Sequence, residues 1–354
     1  MPQNEYVPSG DPIRVKLVSR FPAEHWLHQL PHGSPQWGRC EFVFERESRH
    51  YDWLVVYDDI PPGKGETGRD GSEVLGCSAS HSILVTTEPS TIKIYGNDFT
   101  RQFGAVLTSQ EEWALPHPQR IFSQPALHWF YGVGSRRIVS FDQIASHPPS
   151  AKTRDLSIVF SPKSMRHTLH WQRHEFMRQL IDSMPEMDVY GRGARPLDDK
   201  AEALDHYRYH VAIENHIGPH HWTEKLADAF LGLTVPFYAG CPDAAEYFPA
   251  ESFIPVDIRD PEGAARVIRQ AISGNEYERR LPAIIEARRR VLYDYNLFAV
   301  LSKEIEKRHR HTTQGLGHTT LYSRHALRSR NPWVGLRDMY GKARARVMHR
   351  ARKR

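Results

Sequence analysis

Apolar positions in the first half of the chain come in short blocks. "IRVKLVS" (13–19), "CEFVFE" (40–45), "WLVVY" (53–57), "SILVTT" (82–87) and "GAVLTS" (104–109) are nearly continuous apolar runs with polar or Gly/Pro-bearing segments between them. Continuous runs of this length fit strands covered on both faces, so the pattern predicts parallel strands. The Gly-rich polar stretch "PPGKGETGRDGSE" (61–73) reads as a loop. "HPPSA" (147–151) reads as a linker, because two prolines favour extended chain.

The second half repeats this grammar with helices added. "LSIVFS" (156–161) predicts a strand, and "QRHEFMRQLIDSM" (172–184) a helix with Phe176, Leu180 and Met184 on one face. "MDVYG" (187–191), "YRYHVAIEN" (207–215), "TVPFYAG" (234–240) and "SFIPVD" (252–257) predict further strands. Between the second and third of these, a helix over about 223–233 places Leu226, Ala229, Phe230 and Leu233 on one face. "AARVIRQAI" and "LPAIIEARRRVLYDYNLFAVLSKEIEKRHR" are helical, and from about 311 the chain is polar, His-rich and basic. Alternating strand and helix implies an α/β fold in two tandem domains, 1–150 and 151–310. A tail follows over 311–354. In such pairs the ligand sits in a cleft at the carboxyl ends of the strands.

Composition adds limits. With 354 residues, 40% hydrophobic and 25% charged, the chain has the balance of a soluble globular protein. No apolar run approaches the roughly 18 residues of a membrane span. The start, "MPQNEYVPSGDP", lacks the pattern of a signal peptide. Three cysteines, Cys40, Cys77 and Cys241, are too few and too scattered for a disulfide framework, which favours a reducing, cytoplasmic setting. The 21 histidines make chance clustering the reading of "HIGPHH", and no metal ligands are assigned. The formal charge of +5 is concentrated in "GKARARVMHRARKR" at the C-terminus. Trp333, Leu336 and Tyr340 precede that block on one helical face. The composition has two readings, a segment lying on an anionic membrane surface at the inner face or a disordered, solvated tail, and the first is the one expected here. No nucleic-acid-binding motif accompanies it.

The chemistry concentrates in "YRYHVAIENHIGPHHWTEKLADAFLGLTVPFYAGCPD" (207–243). Glu214 and Asn215 end a strand. Thr223 is placed as an N-cap, with Glu224 and Lys225 in the first helical turn. A helix N-terminus is an anion site, and a lysine there works against the helix dipole unless an anion binds beside it. On spacing alone Lys225 has two readings, a phosphate-binding residue or an ordinary solvated helix residue. Neither GxxxxGK[ST] nor a post-strand GxGxxG is present.

This stretch resembles the donor-binding signature of family 10 glycosyltransferases, the α1,3-fucosyltransferases. The counterparts are Tyr207-Arg208-Tyr209, Glu214-Asn215, Thr223-Glu224-Lys225, Thr234-Val235-Pro236 and Ser252-Phe253-Ile254. "LSIVFSPKS", "HWQRHEFMRQL" and "MDVYGRG" extend the likeness over 156–193, and "TTEPS" is the matching feature of the first half. The chain departs from the pattern at His216, where the family has Ser, at His221, where it has an aromatic residue, and at Leu231-Gly232-Leu233.

The resemblance implies a GT-B fold, two Rossmann-like domains facing a cleft, with a helical closing segment and the basic C-terminal tail. It implies inverting transfer of fucose from GDP-β-L-fucose to a glycan acceptor in surface polysaccharide or lipopolysaccharide synthesis. Another nucleotide sugar, or an inactive nucleotide-sugar-binding protein, is the alternative. The implied catalytic residues are Glu88 as base, with Lys225 and Arg173 on the departing diphosphate. Ser161, Glu214, Asn215, His221, Thr223 and Glu224 are the further donor contacts. Two cations and a helix dipole predict a reaction without metal or other cofactor.

Overall fold

The computed structural model describes residues 10–63, 69–125, 127–149, 151–160, 169–191, 193–310 and 319–351. Two compact units emerge. The first comprises the described residues of Met1–Trp26, Ser34–Pro125 and Phe298–Arg354; the second comprises those of Leu27–Gly33 and Ala126–Leu297.

In the first unit the strands are β1 (Ile13–Val18), β2 (Gln36–Trp37), β3 (Cys40–Val43), β4 (Trp53–Tyr57), β5 (Ser72–Val74), β6 (Ser82–Val85), β7 (Ala105–Thr108) and β8 (Arg120–Phe122). Seven of them form one sheet in the order β2-β3-β1-β4-β6-β7-β8. Every pair is parallel except β2 with β3. All residues of β4, β6 and β7 are buried, which is why those runs carry no polar alternation. Counting the parallel strands in chain order, the sheet runs 2-1-3-4-5-6.

The second unit contains β9 (Arg154–Phe160), β10 (Asp188–Gly191), β11 (Tyr207–Ile213), β12 (Val235–Ala239) and β13 (Ile254–Pro255). They form an all-parallel sheet in the order β10-β9-β11-β12-β13. In chain order this is 2-1-3-4-5, a doubly wound sheet whose direction of growth reverses between β9 and β11. Helices α1 (Leu169–Ser183), α2 (Glu224–Leu231), α3 (Pro261–Ser273) and α4 (Glu276–Tyr293) follow the pattern read from the sequence, while the last helical run breaks after α4 and resumes as α5 (Leu297–Arg308), which from Phe298 belongs to the first unit. Phe176, Leu180 and Met184 are buried as their spacing predicted. Each unit taken by itself is a parallel-sheet, Rossmann-like fold, as the apolar runs predicted.

One boundary differs from expectation. The helix predicted over 223–233 ends at Leu231, because the Gly232 N–H closes on the Asp228 carbonyl and Leu233 turns into the left-handed region at φ 50. Leu233 is still buried, so its apolar signal was real, but it belongs to the turn.

The last stretch is ordered into β14 (Thr320–Tyr322), α6 (Arg324–Arg330) and α7 (Pro332–Ala351). Strand β14 pairs antiparallel with β5. Helix α7 buries Val334, Asp338 and Ala345 within the first unit. Asp338 accepts from Arg328, and Arg337 donates to Asp98. The opposite face of α7 leaves Trp333, Leu336, Met339, Tyr340 and Val347 exposed.

Candidate active site

A cavity of about 260 Å³ in the second unit is lined by Val159 of β9, Ile213 of β11, Arg173 of α1, and Glu224, Lys225 and Asp228 of α2, among others. Its position is set by topology. β9 and β11 are the strands between which the sheet order reverses, and adjacent crossovers there leave on opposite faces and open a crevice.

Glu214 is the keystone beneath the cavity. The Thr223 N–H and hydroxyl donate to its two carboxylate oxygens at 2.8 and 2.6 Å, tying the end of β11 to the start of α2. A Cβ on Gly240 would lie 2.4 Å from Glu214 Cγ, so only glycine there leaves the carboxylate room. Thr223 is the N-cap, its hydroxyl accepting from the Lys225 N–H at 3.3 Å. The lysine head folds back over this cap. Lys225 Nζ donates to Glu224 at 2.8 Å and to the Thr223 hydroxyl at 3.1 Å, and lies 3.5 Å from Glu214.

Burial pushes the Glu214 pKa up, against the attraction of Lys225. Burial acts the same way on Glu224, but Lys225 and Lys200 outweigh it and hold that carboxyl well below the usual range. Lys225 is raised, since Glu224 and Glu214 outweigh its own burial. A second pair stands across the cavity: Lys200 Nζ donates to Asp228 at 2.7 Å, and the other Asp228 oxygen caps the N–H groups of Phe130 and Tyr131.

Arg173 is different. Its Nη1 donates to the neutral Asn215 Oδ1 at 2.8 Å, and its buried Nε has no hydrogen-bond partner among the described residues. Burial lowers its pKa, partly offset by Glu214 and Glu224. The two cavity lysines already donate to carboxylates, whereas this guanidinium donates to an amide. Its planar fork suits phosphate or carboxylate oxygens.

Residues 149–276 match the model of the family described as Glycosyltransferase family 10 (fucosyltransferase) C-term. Over this region, little more than a third of the chain, the sequence matches glycosyltransferase family 10. It is 32% identical over 138 residues to the 4-galactosyl-N-acetylglucosaminide 3-alpha-L-fucosyltransferase of Homo sapiens, covering 35% of this chain and 36% of that protein. It is 33% identical over 138 residues to the 3-galactosyl-N-acetylglucosaminide 4-alpha-L-fucosyltransferase of Pongo pygmaeus, covering 35% of each. The aligned region thus spans little more than a third of these curated relatives. Among solved structures, an alpha1,3-fucosyltransferase with GDP-fucose superposes with a TM-score of 0.45 at 16% identity, covering 79% of this chain and 84% of the other.

The cavity brings together four of the residues picked from the sequence: Arg173, Asn215, Glu224 and Lys225. Glu214 and Thr223 lie directly below them. His221 is buried beside His216, with ring centroids 5.2 Å apart, and does not line the cavity. Ser161 lies outside the described residues. Glu88 belongs to the first unit, three residues beyond the end of β6, where the expected carboxyl-end position puts it.

Three lining residues escaped sequence reasoning: Lys200, Asp228 and His210. Lys200 opens a 3-10 turn capped by Asp199, and the Asp-x-x-Glu spacing of Asp199 and Glu202 was the one available signal for it. His210 stands mid-strand in β11. The Ser157 hydroxyl donates to the Ala203 carbonyl, so it accepts from His210 Nδ1–H at 2.8 Å and leaves Nε2 as an acceptor.

Burial pushes the pKa of both His210 and His221 down to about 3. An unfolded histidine titrates near ~6.5. The native state therefore excludes protons that the unfolded chain binds, and the stability present above pH ~6.5 is lost as pH falls toward 3, by up to about 1.4 kcal/mol per pH unit for each ring. Denaturant titrations at pH 7, 6 and 5 should show this loss, and His210→Gln should flatten it. An unchanged slope in the variant would mean His210 takes up a proton in the folded protein.

Proposed function

We propose that this chain transfers fucose from GDP-β-L-fucose to a glycan hydroxyl, with inversion at the anomeric carbon. The observation that carries the reading is Arg173, a cation with a neutral partner in a cavity at a sheet switch point, beside Lys225. A diphosphate is a ligand whose charge suits that arrangement. The family 10 match and the activities named for the relatives support GDP-fucose and a glycan acceptor.

In the reaction, the acceptor oxygen bonds to C1 of fucose as the bond from C1 to the diphosphate oxygen breaks. The acceptor proton passes to the Glu88 carboxylate, and the charge left on GDP is met by Arg173 and Lys225. Those two cations supply the charge relief that a metal gives elsewhere. Residues 151–310 are assigned the donor, with Asn215 and Glu224 lining the cavity and Glu214 and Thr223 bracing them; the sequence also assigns Ser161 and His221 to donor binding. Residues 1–150 take the acceptor, a cytoplasmic precursor of a surface polysaccharide or lipopolysaccharide.

A thermal-shift comparison of GDP, UDP and CDP tests the donor class. At a hundredfold excess over Kd, a ligand that binds only the folded state adds about 2.7 kcal/mol. GDP should raise the Tm well above the other two. A shift with UDP and none with GDP would overturn the donor assignment. GDP binding without GDP release from GDP-fucose would favour the inactive nucleotide-sugar-binding protein.

The reading includes an anionic membrane surface as partner of α7. No helix among the described residues is long and apolar enough to cross a membrane. The exposed face of Trp333, Leu336 and Tyr340, with exposed Lys342, Arg344 and Arg346, suits peripheral contact instead. Each basic residue near such a surface contributes about 1 kcal/mol. Because α7 also buries Val334 and Ala345, the test substitutes its outer face and leaves the helix in place. The protein should sediment with phosphatidylserine vesicles and not with phosphatidylcholine vesicles. Trp333→Ser, Leu336→Ser and Tyr340→Ser together should abolish this. Equal binding by the triple variant would move the contact elsewhere.

A further inference from the structure

Glu88 is held by its backbone from both sides, within the first unit. On one side the Thr87 N–H donates to the Tyr95 hydroxyl at 2.9 Å, and the Glu88 N–H reaches the same oxygen at 3.4 Å. On the other, the Glu88 carbonyl accepts from Gln110 Nε2 at 2.7 Å; the same amide also donates to the Lys93 carbonyl at 2.9 Å. Tyr95 and Gln110 are both fully buried.

The clasp has its own foundation. The Tyr95 hydroxyl donates to Asp58 Oδ1 at 2.6 Å, and that oxygen also accepts from the Thr87 hydroxyl at 2.8 Å and from Lys93 Nζ at 2.7 Å. Asp58 follows β4, one of the two strands at the switch point of the first sheet. It sits at φ 74, a left-handed conformation that costs least in glycine and that aspartate adopts more readily than most other residues. A buried ion pair is weak evidence of stabilisation, since apolar residues often do as well. A left-handed aspartate, a largely enclosed lysine and a buried tyrosine converge on the turn that carries Glu88. Strain held against such a background points to a site whose geometry matters.

We propose that Tyr95 and Gln110 are positioning residues for Glu88, and that Asp58 and Lys93 fix Tyr95 in that task. The proposal rests on the reading of Glu88 as the base. A general base works only within hydrogen-bond reach of the proton it takes, and a displacement of ~1 Å costs about a hundredfold in rate. The clasp acts on the Glu88 backbone, through its N–H and its carbonyl, and so fixes where the side chain starts.

The test uses Tyr95→Phe and Gln110→Leu in the full chain, assayed as GDP release from GDP-fucose with N-acetyllactosamine as acceptor. Each should lower kcat by roughly 30- to 100-fold, while the KM for GDP-fucose and the Kd for GDP stay within about twofold, because donor contacts lie in the second unit. Hydrogen exchange should show the Thr87 and Glu88 amides losing protection in Tyr95→Phe. In a Glu88→Gln background, adding Tyr95→Phe should change the residual rate by less than about threefold, since residues acting as a unit are non-additive. Wild-type kcat in both single variants would overturn the proposal, as would a double variant whose losses multiply. Wild-type turnover in Glu88→Gln alone would instead overturn the base assignment, whatever Tyr95→Phe does. If Tyr95→Phe fails to fold, Gln110→Leu carries the same comparison.

Discussion

Arg173→Leu should abolish turnover of GDP-fucose and leave the protein as stable as before, or more so. The guanidinium is desolvated, its Nε is unpartnered, and its hydrogen bond goes to an amide. Removing such a charge from the free protein relieves burial and leaves behind only an Asn215 oxygen that faces the cavity. In the transition state the same removal takes away a preorganised cation facing a departing diphosphate, at a cost of about 3 kcal/mol, a hundredfold or more in rate. Lys225→Met should behave differently. It also loses turnover, but it strips the counter-charge from Glu224 and Glu214. Breaking a buried pair by removing one partner costs about 3–5 kcal/mol. At ~2–4 °C per kcal/mol for a mid-sized domain, the Tm should fall by roughly 6–20 °C. Proton uptake by Glu214, already inclined to protonate by its burial, sets the result toward the lower end. Melting curves and turnover of both variants check the pair. Wild-type turnover in Arg173→Leu, or equal destabilisation of both, would contradict the electrostatic picture of the cavity.

Glu88→Gln should cut turnover by about 10²–10⁴-fold without altering the affinity for GDP. The amide keeps the shape of the side chain and both clasping hydrogen bonds, which involve only the backbone. It loses the ability to accept a proton. GDP affinity reports on the second unit, where Glu88 has no place. Turnover within tenfold of wild type would leave the acceptor proton to another group.

Much of the fold was legible because parallel strands buried on both faces write themselves as unbroken apolar runs. β4, β6, β11 and β12 were found within two residues for that reason. The donor-site candidates were legible where chemistry follows local order: an N-cap threonine, the charged pair after it, and the polar residues ending β11. Lys200 was not, since it reaches the cavity from a short 3-10 turn with no periodicity, and its partner Asp228 is 28 positions away on the inner side of α2. His210 was hidden by its surroundings, because one polar residue in an apolar strand reads as a core residue and only the fold says that its ring lines a cavity. The network around Glu88 assembles four segments, ending at Asp58, Glu88, Tyr95 and Gln110, and no spacing rule connects them.

The pairing of β14 with β5 implies an order of assembly during synthesis. The first unit is interrupted: its Phe298–Arg354 portion is made after all of the second unit. Domains fold as units while the ribosome adds ~5–20 residues per second. The second unit, with its donor cavity, is therefore complete and able to close while the first still has the β5 edge unpaired. A released chain ending at residue 297 should resist protease across 151–297 and stay open around 72–74; protection of both regions at that length would contradict this order. A nucleotide bound to the early-formed unit would then be in place before the strand that closes the other has left the ribosome.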